Sequence, residues 1–369
     1  MEENQVKVPF YERFSLVLIG LIAFVYLVIL GKDLLGPIVF GFLFAILLLP
    51  VASFLETKLR FPRGLASISS ILLFVGLIAI VLYLVGSQIS GLASDWPMLK
   101  SQVAQSLNEL SAWVQHAFHI NASKQMVYVQ DTEKKIMASG SEVLGETVGA
   151  ISSIVVFYLF TLVFCFFTLL YRRLLMNFVV WVFDRKHSHI VFDIVENVQR
   201  ILRQYILGLL LEMLVVSSLA CTAFWIIGVK YAVLMGVLIG LFNLIPYLGI
   251  FTALFLSCII TFATGSPRDT LLVAISVIAI HETDSNFLLP TIVGSKVKLN
   301  AYVTFIGLIL GEMIWGLSGM FLSIPVLAIL KIIFDRVESL KPWGYLLGTG
   351  SEGKKEKVKK MPAREVDKA

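Results

Sequence analysis

Long apolar runs dominate the chain, and polar residues gather in short stretches between them. Five runs (Phe14–Leu30, Leu34–Leu55, Leu65–Gln88, Gly149–Tyr171 and Tyr205–Gly228) have the length of a single helix across a hydrocarbon core of ~30 Å. Two later runs are longer. The first covers 231–264 and is broken at Asn243-Leu-Ile-Pro246-Tyr247-Leu248-Gly249. The second covers 301–334 and is broken around Gly311-Glu312 and Trp315-Gly316-Leu317-Ser318-Gly319. As a straight helix, either would measure about 50 Å, too long for one crossing. Two short arms with the break at the tip fit better, and unwound backbone at membrane depth persists only where protein buries it or water reaches it. With Leu271–Ile280 and its flanks, the pattern predicts about eight hydrophobic elements.

The predicted fold class is therefore all-α: a polytopic helical membrane protein with two broken or re-entrant hairpins and a helical extracytoplasmic insertion. Composition agrees. Of 369 residues, 58% are hydrophobic and 15% charged, and the mean hydropathy is +0.88, whereas soluble domains hold about 45–50% apolar and about 25% charged residues. The expected parts are transmembrane helices over 1–90, an extracytoplasmic segment at 91–148, a helix at 149–171, a cytoplasmic amphipathic segment at 172–204, a transport core at 205–340 and a basic tail at 341–369. No cleavable signal is expected, because the first run ends in Gly31-Lys32-Asp33 and another span follows at once.

The net charge of +5 does not point to nucleic acid. Lys58, Arg60 and Arg63, then Arg172, Arg173, Arg185 and Lys186, then Lys296 and Lys298, and the Lys-rich tail all occupy short stretches expected on the cytoplasmic face. The 91–148 stretch holds Asp95, Glu109, Asp131, Glu133, Glu142 and Glu146 and belongs outside. This arrangement closes only if each broken run returns to the face it entered from, the first from outside and the second from the cytoplasm. The membrane location is then multi-pass, with both termini cytoplasmic. Leu99, Val103, Leu107, Leu110, Val114 and Phe118 form an apolar stripe in the outer segment, and Ile190 to Leu202 repeats the pattern as an interfacial helix leading into the fifth span. Cys165, Cys221 and Cys258 lie in apolar runs and read as packing residues.

A few polar groups lie where polarity is costly. Glu212 is seven residues into the fifth span, and an ionised acid at that depth costs a few kcal/mol, so a cavity and a proton are its natural company. Glu312 interrupts the last run and reads as a hairpin-tip ligand for a cation or proton. His281-Glu282-Thr283-Asp284-Ser285-Asn286 is a polar cluster after an apolar span, with Glu282 and Asn286 on one helical face. Coupling or gating is assigned to Glu212, Glu282, Asp284, Asn286 and Pro290. Substrate contact is assigned to Asn243, Pro246, Tyr247, Gly249, Gly311, Glu312, Gly316, Gly319 and Pro325. Pro246 frees a carbonyl and Gly249 permits a sharp turn. One histidine with carboxylates is a weak metal signal, so neither a metal nor a cofactor is expected. Nucleotide loops, zinc-protease motifs and nucleophile elbows are absent, so an enzyme is not expected.

The stretch Gly228-Val-Lys-Tyr231-Ala-Val-Leu-Met-Gly236, then Asn243-Leu-Ile-Pro246-Tyr247-Leu248-Gly249, resembles the autoinducer-2 exporter family of bacterial membrane proteins. Glu282, Asn286, Pro290-Thr-Ile-Val-Gly294, Gly311, Gly316, Gly319 and Pro325 extend the resemblance, which covers roughly 10–340. It implies a secondary transporter of the inner membrane that moves a small polar solute such as the signal autoinducer-2. A sodium or lithium/proton antiporter is the first alternative, and a non-transporting scaffold or envelope-assembly factor the second. It also implies a homo-oligomer, with a pentamer among the states in view, and elevator-like motion. Ile250 stands where proline is common, Glu312 where glycine is frequent and Glu212 where an amide is frequent. Those two carboxylates raise the weight of proton or cation coupling.

Overall fold

A computed structural model describes residues 9–94, 101, 153–183, 188–245, 248–294 and 299–349. The outer stripe of 91–148 lies almost wholly outside the described residues, as do Pro246, Tyr247, Arg185, Lys186, Lys296, Lys298 and the basic tail from Ser351. The described residues form α1 (Phe10–Leu30), α2 (Lys32–Thr57), α3 (Arg63–Ser94), α4 (Ser153–Leu170), α5 (Arg172–Val182), α6 (Ser188–Ile227), α7 (Ala232–Asn243), α8 (Leu248–Thr264), α9 (Pro267–Thr283), α10 (Ala301–Arg336) and α11 (Lys341–Leu347). The protein is thus a polytopic helical membrane protein. Among the described residues, six helices are long and apolar enough to cross a bilayer: α2, α3, α4, α6, α9 with its continuation, and α10.

Helix α6 is the spine. At 40 residues it spans about 60 Å, and α2, α5, α7, α9 and α10 all pack on it. The expected helix at 190–202 runs on into the fifth span as the first part of α6. No Gly or Pro separates it from the span that follows, and its apolar stripe (Val191, Val198, Leu202) is buried by neighbouring helices.

Three apolar clusters hold the bundle. Ala45, Leu48, Ala52, Ile71, Cys165 and Leu169 join α2, α3 and α4. Val216, Ala220, Phe224, Leu234, Met235, Ala253, Val273 and Val277 join α6, α7, α8 and α9. Leu43, Ile46, Leu202, Tyr205, Leu209, Leu322 and Ile332 join α2, α6 and α10. Phe40 of α2 stacks on Phe321 of α10 with ring centroids 6.0 Å apart. Two ion pairs fasten one end: Arg172 grips both oxygens of Glu56 at 2.8 and 2.7 Å, and Arg336 Nε reaches Asp193 at 2.5 Å.

Both broken runs form helical hairpins. In the first, α7 and α8 pack together. Their 12 and 17 residues give arms of about 18 and 26 Å, each short of the hydrocarbon thickness. In the second, α10 turns back on itself at Trp315 (φ −134°, ψ 18°) and Gly316 (φ 61°, ψ −141°). Ser323 Oγ donates to Gly307 O at 2.7 Å across the arms, and the backbones of Gly311 and Gly319 touch. The run is thus broken at 315–316 only; Gly311 and Glu312 belong to a continuous arm, and Gly311 serves close packing. Asn300 N–H, at the start of α10, donates to Leu347 O, beyond its end, at 2.8 Å. Both ends of the hairpin therefore lie together.

Candidate functional site

The closest contact between α6 and α7 sets up the site. A Cβ at Gly236 would overlap Cys221, and one at Gly240 would overlap Ser217 and lie 2.6 Å from Met213 O. These pairs run in opposite directions along the two helices, as antiparallel packing on small residues requires. One turn further, the same register brings Asn243 to Glu212. Asn243 is the last residue of α7, and its amide Nδ2 donates to Glu212 Oε1 at 3.3 Å and to Asp284 Oδ2 at 3.0 Å. Glu212 is 2% exposed and Asp284 4%.

Asp284 reaches this position through a change of helical pitch. After Thr283 the backbone widens into a π-turn over Asp284–Leu288, with Leu289 N–H bonded to Asp284 O, and a second over Pro290–Gly294. Pro290 has no N–H to give to the preceding turn and its ring would clash there in a regular helix, so a wider turn relieves both problems. Such bulges recur at functional sites.

Each carboxyl group keeps one buried oxygen unpaired, Glu212 Oε2 and Asp284 Oδ1, and His281 Nδ1 is buried without a partner as well. Asn243, His281 and Asp284 line a small cavity with Val216, Ile239, Ile250, Ala253, Val277 and Ile280. Its space, ≈ 10 Å³, is about that of one water molecule. Among the described residues, no basic group other than His281 lines it. Two carboxyl groups sharing one amide donor in an apolar wall can accommodate an exchangeable positive charge, because two bare carboxylates there would be costly.

The other expected site residues are spread more widely. Glu282 and Asn286 do share a face: Asn286 Nδ2 donates to Glu282 O at 2.8 Å and Oε2 at 3.1 Å, but both are exposed. Pro290 is exposed. Gly249 is buried at the first hairpin's tip against Phe242 O, and Pro325 is fully buried in the returning arm of α10. Glu312 is exposed, one turn before the second tip. The indole of Trp315 at that tip donates to Val28 O of α1 at 2.9 Å. Leu244 and Trp315, beside the two tips, pack against one apolar cluster. His281 and Trp315 stood in motifs noted in the sequence, yet neither was assigned a role. For His281, the signal was a lone titratable ring next to Asp284.

The family model for AI-2E family transporters matches residues 17–339. The chain belongs to the AI-2E transporter family. The candidate transport protein YrrI of Bacillus subtilis (strain 168) is 29% identical over 82% of this chain and 86% of its own length. YueF from the same organism, described in the same words, is 27% identical over 79% and 80%. A candidate transport protein of Haemophilus influenzae is 26% identical over 89% and 94%. As an AI-2E family member, the chain is a multi-pass membrane protein with transport as its supported function.

Proposed function

We propose that this AI-2E family member is a secondary transporter of the bacterial inner membrane, in which the Glu212–Asn243–Asp284 triad carries a proton during transport of a small polar solute. The observation behind this reading is the pair of buried carboxyl groups sharing one amide, each with an oxygen left over. The two hairpins enter from opposite faces, and substrate passes between their tips, near Asn243–Gly249 and Gly311–Gly319. Inverted hairpins of this kind are a known basis for alternating access. The joined ends of α10 support a return to the face of entry. Helices α1 and α3, exposed along most of their length, leave apolar surface for contact with further copies in a homo-oligomer.

Autoinducer-2 is the first solute to try. Purified protein in liposomes should take it up or release it faster when a pH gradient is imposed, and Glu212→Gln should remove the gradient's effect. Transport that ignores the gradient in the wild type would refute the coupling.

The size of the cavity favours a second reading, sodium(lithium)/proton antiport, because it suits an ion better than an organic solute. Here the salt alone, added outside proteoliposomes carrying an internal pH dye, should move protons, and Asp284→Asn should abolish the response.

A further inference from the structure

The imidazole of His281 bridges two environments. Its Nδ1 is buried, unpartnered and on the wall of the cavity that Asn243 and Asp284 line. Its Nε2 lies 3.4 Å from Oγ of Ser285, which is exposed. We infer that His281 is a proton relay between the molecule's surface and the buried Glu212–Asp284 pair. This deepens the proton-coupled reading above and rests on it.

The step balances without any further reactant. A proton from bulk water, passed through Ser285, binds Nε2 and forms the imidazolium. The ring then releases its Nδ1 proton into the cavity, where one water molecule has room to pass it to Asp284 Oδ1. The ring returns to neutrality as the other tautomer and resets by exchange or rotation. Imidazole suits this work because it alone among side chains binds and releases protons near neutral pH with two separate nitrogens. Among the described residues lining this cavity, the one other titratable group is Asp284, from the turn after α9; Glu212 of α6 lies behind it, joined through Asn243. From α7 comes neutral Asn243, and from α8 apolar Ile250 and Ala253. Glu282, its immediate neighbour, is exposed, and its Oε2 accepts from Asn286 Nδ2.

The test needs no transported solute. Full-length protein in lipid nanodiscs is given a rapid pH jump, and the infrared band of protonated carboxyl groups is followed in time. Glu212→Gln and Asp284→Asn assign that band. His281→Phe should slow its rise tenfold or more and leave its final height unchanged. His281→Ala should be equally slow, and imidazole in the buffer should restore its rate. His281→Gln, which keeps polarity and approximate size, should be slow as well; it guards against a packing defect in the other two. Rates within twofold of wild type in correctly folded His281→Gln would overturn the relay. A wild-type protein lacking a pH-dependent carboxyl band would overturn both the relay and the proton-coupled function beneath it. A normal band with an unaltered rate overturns the relay alone.

Discussion

Gly311 and Gly319 face each other across the second hairpin so closely that a Cβ on either would overlap the carbonyl oxygen of the other. The obstacle is backbone, which cannot swing aside as a side chain can. Gly319→Leu, and to a lesser degree Gly311→Ala, should therefore lower stability by about 1–3 kcal/mol or more, as overpacking does. Thermal unfolding in detergent measures this. Gly20→Leu is the control, since nothing lies within 4 Å of its Cβ position.

Gly316 separates strain from crowding. It has φ 61° and ψ −141°, and its Cβ position is also free of neighbours. Gly316→Ala should still cost about 1–3 kcal/mol, because that backbone region is nearly closed to residues with a Cβ. Gly316→Leu should abolish flux while the protein still assembles, which size-exclusion chromatography alongside a liposome flux assay will report.

Asn243 donates to both carboxyl groups. Asn243→Leu leaves two more buried oxygens without a partner, and about 1–3 kcal/mol of stability should be lost. Adding Glu212→Leu should recover part of that loss, since removing both partners costs less than removing one. Unfolding midpoints of the single and double variants give the coupling energy directly.

The start of α10 and the start of α11, just past its end, should report from one compartment. Tyr302 is 72% exposed, and the side chain of Lys341 is 59% exposed. Cysteines placed at these positions in a cysteine-free background should react with a membrane-impermeant maleimide from the same side of oriented vesicles. Labelling from opposite sides would mean that α10 spans the bilayer without turning back.

The Glu56–Arg172 pair ties α2 to the start of α5 with two parallel hydrogen bonds and partial burial. A double-mutant cycle with Glu56→Gln and Arg172→Met should give about 1 kcal/mol, at the upper end for exposed pairs, with a decline in high salt.

Much of this architecture was legible because apolar runs set helix number, and Gly and Pro mark where helices stop. The break at Asn243–Gly249 was visible for that reason. The one at 315–316 was visible too, though Gly311 and Glu312 blurred its edges: a glycine at a helix contact looks the same in sequence as a glycine at a turn. Glu212 stood out because acids are rare in such runs. Asn243 and Asp284 were named as well, but their meeting with Glu212 was not legible, because a π-turn shifts the helical phase and brings Asp284 inward while Glu282 and Asn286 stay exposed. The stripe at 190–202 read as an interfacial helix leading into the fifth span, and the two form one helix whose stripe packs against its neighbours. No local pattern foretold the bond from Trp315 to Val28, which joins positions 287 residues apart.

That indole bond gives the first helix a stake in the far end of the chain. Any stroke that carries the Trp315 elbow along the bilayer normal must drag α1 with it or snap the tether, so the N-terminal rod behaves as either passenger or brake. A disulfide between cysteines placed at 28 and 315 would tell the two apart: a passenger tolerates the covalent strap, and a brake locked on halts the cycle.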